Sequence, residues 1–313
     1  MKPYRAIVCF ASLTASLPFS ASAQAISYNT GSLGVAANGV NTAGVVLDQP
    51  GALAAKGDFS SSYSGAPGNN TTVPFQAALN PAANAPFTIE FWARPTATDG
   101  DDAPIGNRLA TGDRSGWVFF QRDETTGWNF RMYNGVGSTV GWDITGGTAT
   151  LNAWSHVVVT WNGTTPSLYV NGVFASSTNN PAFNGVYRPN ANNESFYVGA
   201  LIGGASPTNG SIDEVAYYPT ALSPAQILNH YNMASSSIIG AYSAMVQADG
   251  ALLYLQQNPP IASITAMSPS PVIKFTGILS KSENLKDWTD VVTTSPYTVP
   301  ASEPKTLFYK SHR

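Results

Sequence analysis

The stretch from Trp154 to Val173, WSHVVVTWNGTTPSLYVNGV, constrains the fold more than any other part of the chain. Val157, Val159 and Trp161 alternate with His156, Val158 and Thr160, the period-two pattern of a strand with one apolar side and one mixed side. Asn162-Gly163 interrupts the run, and Leu168-Tyr169-Val170 resumes it. Asn171-Gly172 then supplies the two positive-φ residues of a type I′ hairpin turn before Val173-Phe174-Ala175 returns antiparallel. These residues predict an antiparallel sheet nucleus.

Further strands follow from the same reasoning. In Phe87–Pro95, the residues Phe87, Ile89 and Phe91 face one way, Thr88, Glu90 and Trp92 the other, and Pro95 stops the strand. Gly116–Arg122, Trp128–Tyr133 and Thr139–Ile144 read as a meander, and Ser195–Ala200 and Gly210–Tyr218 as two more strands. Gly- and Asn-rich turns at short spacing favour an all-β sandwich over βαβ units. Ser223, Pro224 and Gln226 form the capping box of a short helix whose Ile227, Leu228 and Tyr231 offer an apolar stripe. Residues 24–57 suggest one or two short edge strands, and residues 58–84, dominated by Ser, Gly, Asn, Pro and Ala, read as loop, with Val73-Pro74-Phe75 touching the sandwich edge.

The runs W-S-H-V-V-V-T-W-N-G and L-Y-V-N-G, F-T-I-E-F-W-A-R-P, and G-S-I-D-E-V-A-Y-Y followed by A-L-S all stand between residues 87 and 232. Together they resemble the laminin G type of concanavalin A-like domains. The resemblance implies a jelly-roll β-sandwich, which we place at residues 24–234. The serine triplet Ser235–Ser237 reads as a linker, and residues 235–313 as a small C-terminal β module. Leu279, Ser282, Asn284, Leu285, Trp288 and Asp290 in that segment are similar to the tail module of secreted proteins from verrucomicrobial and related bacteria. The resemblance does not establish the module's role, for which attachment to a cell surface is a candidate.

Lys2 and Arg5, the apolar run from Ala6 to Leu17, and Ala21-Ser22-Ala23 read as a secretory signal over residues 1–23, cleaved after Ala23. The run is too short for a membrane anchor. Val8 before Cys9 is a poor lipobox residue. Cys9 is the chain's single cysteine, so the secreted product has no disulfide or thiol chemistry. Without the leader, 13 basic side chains face 18 acidic ones, which argues against nucleic acid as a partner. No later stretch predicts membrane insertion.

Catalytic signatures are sparse. Glucanases of this sandwich type carry E-x-D-x-E or E-x-D-x-x-E on one strand face, a spacing not found here. Asp213 and Glu214 are adjacent on a strand, so alternation sends them to opposite faces. The Q-x-H of related lyases, G-x-S-x-G and H-E-x-x-H are likewise missing. His156 is either a core imidazole bonded to backbone or a ligand, with the resemblance favouring the core, and His230 on the short helix has no evident partner.

Calcium is the ion that suits this composition, since hard oxygen ligands are plentiful and soft ones are not. Modules of the laminin G type often hold calcium at the sandwich rim, and motif position makes Asp213 its candidate ligand. Asp99, Asp101 and Asp102 crowd one loop and are further candidates, against the plain reading of solvated acids. Trp117, Trp128 and Trp142, with Tyr133 and Tyr187 near loop ends, are candidates for stacking on sugar rings, against the reading of core aromatics. The expected function is non-catalytic recognition of a glycan or polysaccharide outside the cell. The alternatives are a structural or adhesive surface protein that binds another protein and, less favoured, a polysaccharide hydrolase or lyase.

Overall fold

A computed structural model describes residues 25–97, 101–109, 111–238 and 240–257 in full, and beyond them the backbones of six short strands between residues 262 and 312. The leader 1–23, Asp99, and the tail residues Asn284, Leu285 and Trp288 lie outside the described residues.

The first strands are β1 (Ile26–Asn29), β2 (Gly39–Asn41), β3 (Val46–Pro50), β4 (Phe59–Ser64), β5 (Thr71–Val73), β6 (Phe87–Pro95), β7 (Ile105–Gly106) and β8 (Trp117–Gln121). There follow β9 (Trp128–Tyr133), β10 (Val140–Gly146), β11 (Ser155–Trp161), β12 (Pro166–Val170), β13 (Val173–Ser176), β14 (Phe196–Val198) and β15 (Asn209–Tyr218). Helices α1 (Pro224–Met233) and α2 (Ala241–Ala248) precede β16 (Leu253–Gln256). One layer runs β10-β9-β8-β7-β14-β5-β2, and the other β13-β12-β11-β6-β15-β16, with β4 and β3 continuing from the first half of β15. Strand β1 pairs with both β2 and β16 and so joins the layers along one edge. Every pairing is antiparallel, as the predicted all-β sandwich requires.

The alternation read in the sequence decides which side of each strand is buried where. Phe87, Ile89 and Phe91 of β6 and Val157, Val159 and Trp161 of β11 meet Trp117, Phe119, Trp128 and Phe130 of β8 and β9 in the core between the layers. Phe91 stands edge-on to Phe119 at 5.0 Å and to Trp128 at 5.9 Å, so aromatic packing spans both layers. The opposite faces of β6, β11 and β15 carry Trp92, Val158 and Tyr218, which the helices cover with Ile227, Tyr242 and Val246. Ser223 caps α1 with the predicted reciprocal bonds to Gln226, and Pro224 stands at its first position. Leu228, expected to join the apolar stripe, remains 43% exposed. The Asn171-Gly172 turn has φ of 53° and 75°, as its I′ reading demands.

Two expectations are corrected. Residues 58–84 are not all loop: β4 lies beside β15 and β5 between β2 and β14. The small side chains of Ser60 and Ser61 are buried there, and the backbone ladder supplies the stability that their weak strand preference does not. The sandwich also continues past residue 234. α2 packs Tyr242 and Val246 against the sheet, and β16 pairs with β1 and β15, so the layer is completed only at Gln256. The serine triplet is a turn within the domain rather than its boundary. Beyond it, β17 (Ala262–Thr265), β18 (Val272–Phe275), β19 (Ile278–Ser282), β20 (Thr289–Val292), β21 (Tyr297–Thr298) and β22 (Phe308–His312) form two three-stranded sheets, β17-β18-β21 and β20-β19-β22. Among the described residues, no helix is long and apolar enough to cross a membrane.

Candidate functional site

On β9, Trp128, Phe130 and Met132 turn into the core, and Asn129, Arg131 and Tyr133 therefore face outward. Register sets their neighbours: Arg131 lies between Val118 and Asp143, and Asn129 between Phe120 and Thr145. Ser176 at the end of β13, the loop residues Thr178, Asn179, Asn180 and Pro181, and Asp101, Arg122 and Thr126 join Asn129 and Arg131 in lining an open polar groove. Its side chains hold one another in place. Arg131 Nε donates to Asp143 Oδ2 at 3.0 Å, and Asn129 Nδ2 donates to the other Asp143 oxygen and to Thr145 Oγ1 at 2.9 Å. Arg122 donates to Asn129 Oδ1 at 3.1 Å and pairs with Asp101. Asp143 N donates to Asn179 Oδ1 at 2.8 Å, which ties the rim loop to the strand. Phe120 lies beneath the two guanidinium groups.

The aromatic residues named as candidates for stacking on sugars are elsewhere. Trp117 and Trp128 are 1% and 0% exposed and belong to the core between the layers, where no ligand ring reaches them. Tyr133 does face the groove side, but it is 2% exposed and lies under the Arg108 guanidinium. Trp142 is half-buried against the core and stands edge-on to Trp161 at 6.1 Å. Tyr187 is likewise a core residue. The two packed layers consume these rings, and the groove offers hydrogen-bonding side chains in their place. Arg122, Asn129, Arg131 and Asp143 were not singled out from the sequence, although alternation on the Trp128–Tyr133 strand marks Asn129 and Arg131 as outward-facing.

A second cluster lies on the other layer. The carboxylates of Asp58, Asp213 and Glu214 come within 4.8 Å of one another. Adjacent acids do meet here, contrary to the alternation argument, because β15 carries a bulge: its register against β6 shifts between Asp213 and Ala216, and Glu214 has φ of 50°. The loop before β4 adds Asp58. Ala52 N donates to Asp213 Oδ2 at 2.8 Å, Leu53 N to Asp58 Oδ2 at 2.7 Å, and Glu214 N to Asp213 Oδ1 at 2.9 Å, and Tyr254 OH donates to Glu214. The loop passes so close that a Cβ on Gly51 would collide with Asp58 and Asp213. Burial, and then the charge of Asp58, raises Asp213 well above the usual carboxylate range. Glu214 is raised likewise by burial and by Asp213, and Asp58 by burial. Crowded, buried, all-oxygen donors fit a hard cation such as calcium, whose charge would offset their repulsion. Of the acids nominated from the sequence, Asp213 belongs to this set. Asp101 does not: it is an exposed partner of Arg122 in the groove. Asp102 is buried and accepts from Asn209 N at 3.2 Å.

Between the second layer and its helices lies a polar knot centred on Glu90, which is fully buried. Glu90 accepts from His156 Nε2 at 2.8 Å, His230 Nδ1 at 2.8 Å, Tyr218 OH at 2.8 Å and Tyr242 OH at 2.6 Å. His230 Nε2 in turn reaches Asp249 Oδ2 at 2.8 Å. His156 is thus a core imidazole, as the resemblance favours, but its side-chain partner is a carboxylate rather than backbone. His230 has two partners where the sequence suggested none. Burial opposes protonation of His230, yet Glu90 and Asp249 outweigh it and raise it to about 9. Burial would likewise raise Glu90, but the imidazoles hold it below the usual carboxylate range. Glu90, His156 and His230 are all shut away from solvent, and the knot joins helices to sheet.

A family model of the laminin G type, described as the concanavalin A-like lectin/glucanases superfamily, matches residues 65–228. The chain belongs to that superfamily. No curated protein matches its sequence. Among solved structures it is similar to the binding domain of botulinum neurotoxin serotype G, at 13% identity and a TM-score of 0.50 over 92% of this chain and 81% of that one. It is also similar to Trypanosoma rangeli sialidase in complex with the inhibitor DANA, at 16% identity and a TM-score of 0.45 over 64% of this chain. A third similar structure is domain 4 of AbnA, a GH43 extracellular arabinanase from Geobacillus stearothermophilus in complex with arabinotriose, at 14% identity and a TM-score of 0.42 over 66% of this chain and 98% of that one. The match spans 30% of the sialidase. At these identities the likeness concerns the fold, which superfamily members use both for binding and for glycoside hydrolysis.

Proposed function

We propose that the protein recognises a polysaccharide or glycoconjugate outside the cell, without cleaving it, in the groove over β8, β9 and β10. The observation that carries this reading is the lining itself. Arg122, Asn129, Arg131, Asp143 and Thr145 present donors and acceptors already fixed by mutual hydrogen bonds, so sugar hydroxyls meet a preorganised surface at small entropic cost. Membership of a lectin/glucanase superfamily agrees with it. The non-catalytic part rests on the carboxylates. Among the described residues both acids of the groove are engaged by arginines, and the Asp58, Asp213 and Glu214 carboxylates lie on the other layer, away from the groove.

In this reading Asp58, Asp213 and Glu214 hold a calcium ion that fixes the loop before β4 to the bulge of β15, the leader directs secretion, and the C-terminal β module attaches the protein to a surface. The test is retention of the full chain on a panel of insoluble and immobilised polysaccharides, with reducing ends assayed in the same tubes. Selective retention without release of reducing ends is the expected result. Release of reducing ends would make the protein a hydrolase. Uniform failure to bind would turn attention to protein partners and an adhesive role.

A further inference from the structure

Two guanidinium groups share one aromatic ring in the groove: Arg122 Cζ lies 4.6 Å and Arg131 Cζ 5.5 Å from the Phe120 centroid. Like charges so placed repel each other. Burial, and then the charge of Arg131, pulls Arg122 below the usual arginine range. Beside them Arg108 is only 8% exposed, stacks 5.3 Å from the Tyr133 centroid, and buries an Nε with no hydrogen-bond partner among the described residues. Burial lowers Arg108, and Arg114 and Arg131 lower it further against the pull of Tyr133. Three arginines thus crowd one face, and among the described residues the groove sets two acids against them, Asp101 and Asp143.

Neither acid saturates the face. Asp143 is buried and takes Arg131 by Nε alone, while its other oxygen is held by Asn129. The two terminal nitrogens of Arg131 consequently have no hydrogen-bond partner among the described residues, and the side chain is 30% exposed to the groove. A planar fork anchored through Nε, with both terminal nitrogens unpaired among the described residues on a partly exposed side chain lining the groove, matches a carboxylate or sulfate oxygen pair. Asp101, which pairs with Arg122, has a side chain 73% exposed, and such a pair contributes little and yields readily to a competing anion.

We propose that the groove selects acidic polysaccharides, seating a uronate carboxylate or a sulfate ester on the terminal nitrogens of Arg131 beside Arg122, with Asp101 as the counter-ion it displaces. This deepens the glycan reading and rests on it. The test compares the full chain on three immobilised polymers of one sugar family: galactan, polygalacturonate and a sulfated galactan. At least one charged polymer is expected to bind about 10-fold more tightly than galactan, from one charge-assisted bidentate contact. That preference should fade in roughly 0.5 M NaCl.

Arg131→Gln should bring the charged-to-neutral ratio close to one, and Arg131→Lys, which keeps the charge but not the fork, should leave an intermediate ratio. Asp101→Asn, a surface change with little risk to folding, should raise affinity for the charged polymer about 3-fold. Whether the carboxylated or the sulfated polymer wins names the group. Equal binding of all three polymers, or a preference that survives both Arg131→Gln and the salt, would overturn the proposal and leave glycan recognition standing. Failure to bind any of them or any neutral polysaccharide would overturn both.

Discussion

Glu90→Gln is the substitution whose consequence can be worked most fully from the structure. The side chain keeps its shape but loses the charge that His230 faces at 2.8 Å, and its amide presents donors to a site built of donors. A rise of His230 from 6.5 to about 9 corresponds to roughly 3 kcal/mol at about 1.4 kcal/mol per pH unit. Removing one partner of a buried ion pair costs about 3–5 kcal/mol by general experience, which agrees. Both side chains are essentially fully buried, so solvent screening takes little away. For a domain of this size the loss corresponds to a drop of about 6–12 °C in Tm.

The pH dependence has a definite sign. His230 has a higher pKa folded than unfolded, so its contribution is complete below about 6.5 and disappears as pH rises through about 9. Glu90, held low, contributes above its ordinary value of 4.5 and loses that contribution only as pH falls. The wild-type Tm should therefore decline between pH 6.5 and 9, and in the Glu90→Gln variant that decline should be shallower by the share His230 contributes, leaving the part due to Asp213 and Glu214. Thermal melts followed by circular dichroism across this range measure both effects. A loss below about 1 kcal/mol, or an unchanged slope with pH, would refute the assignment of His230 as a buried cation.

Calcium should raise Tm, and more at pH 8 than at pH 5. The pKa values of Asp213 and Glu214 are raised by folding, so their ionisation costs stability as pH climbs above the ordinary values of 3.8 and 4.5, and a cation offsets that cost. The same melt in chelator and in about 1 mM calcium at pH 8 would dismiss the metal site, and Asp213→Asn should abolish the response. Ser223→Ala removes the cap's side-chain bonds and should cost about 1 kcal/mol, read as a lower denaturant midpoint at constant m-value.

Much of the scaffold was legible because local and tertiary demands agree. The alternation of Phe87–Pro95 and Ser155–Trp161, the Asn171-Gly172 turn and the Ser223 cap each match the element that forms. What escaped depends on contacts distant in sequence. Composition misleads at β4, where Ser60 and Ser61 read as loop, because the strand is made by its partner β15. The domain boundary fails because β16 returns to pair with β1. The groove was half visible: outward positions on β9 follow from period two, but that Asp143 and Asn179 would converge on them depends on strand pairing and a rim loop. The carboxylate cluster was hidden by the one residue that breaks the strand rule, Glu214, and by Asp58, which joins it from another loop. The tryptophans misled because aromatic rings serve a core and a sugar site equally well, and only burial distinguishes them.

The central claim is that the ligand lies in the groove over β8, β9 and β10. Thr145 is exposed there, so Thr145→Trp can obstruct the groove without touching the core. The most direct measurement is the dissociation constant of wild type and this variant for the polysaccharide the full chain retains best, with melts recorded alongside. A loss of about 10-fold or more at unchanged Tm is the predicted result. Equal affinity in the two proteins would contradict the account and place the ligand on another surface.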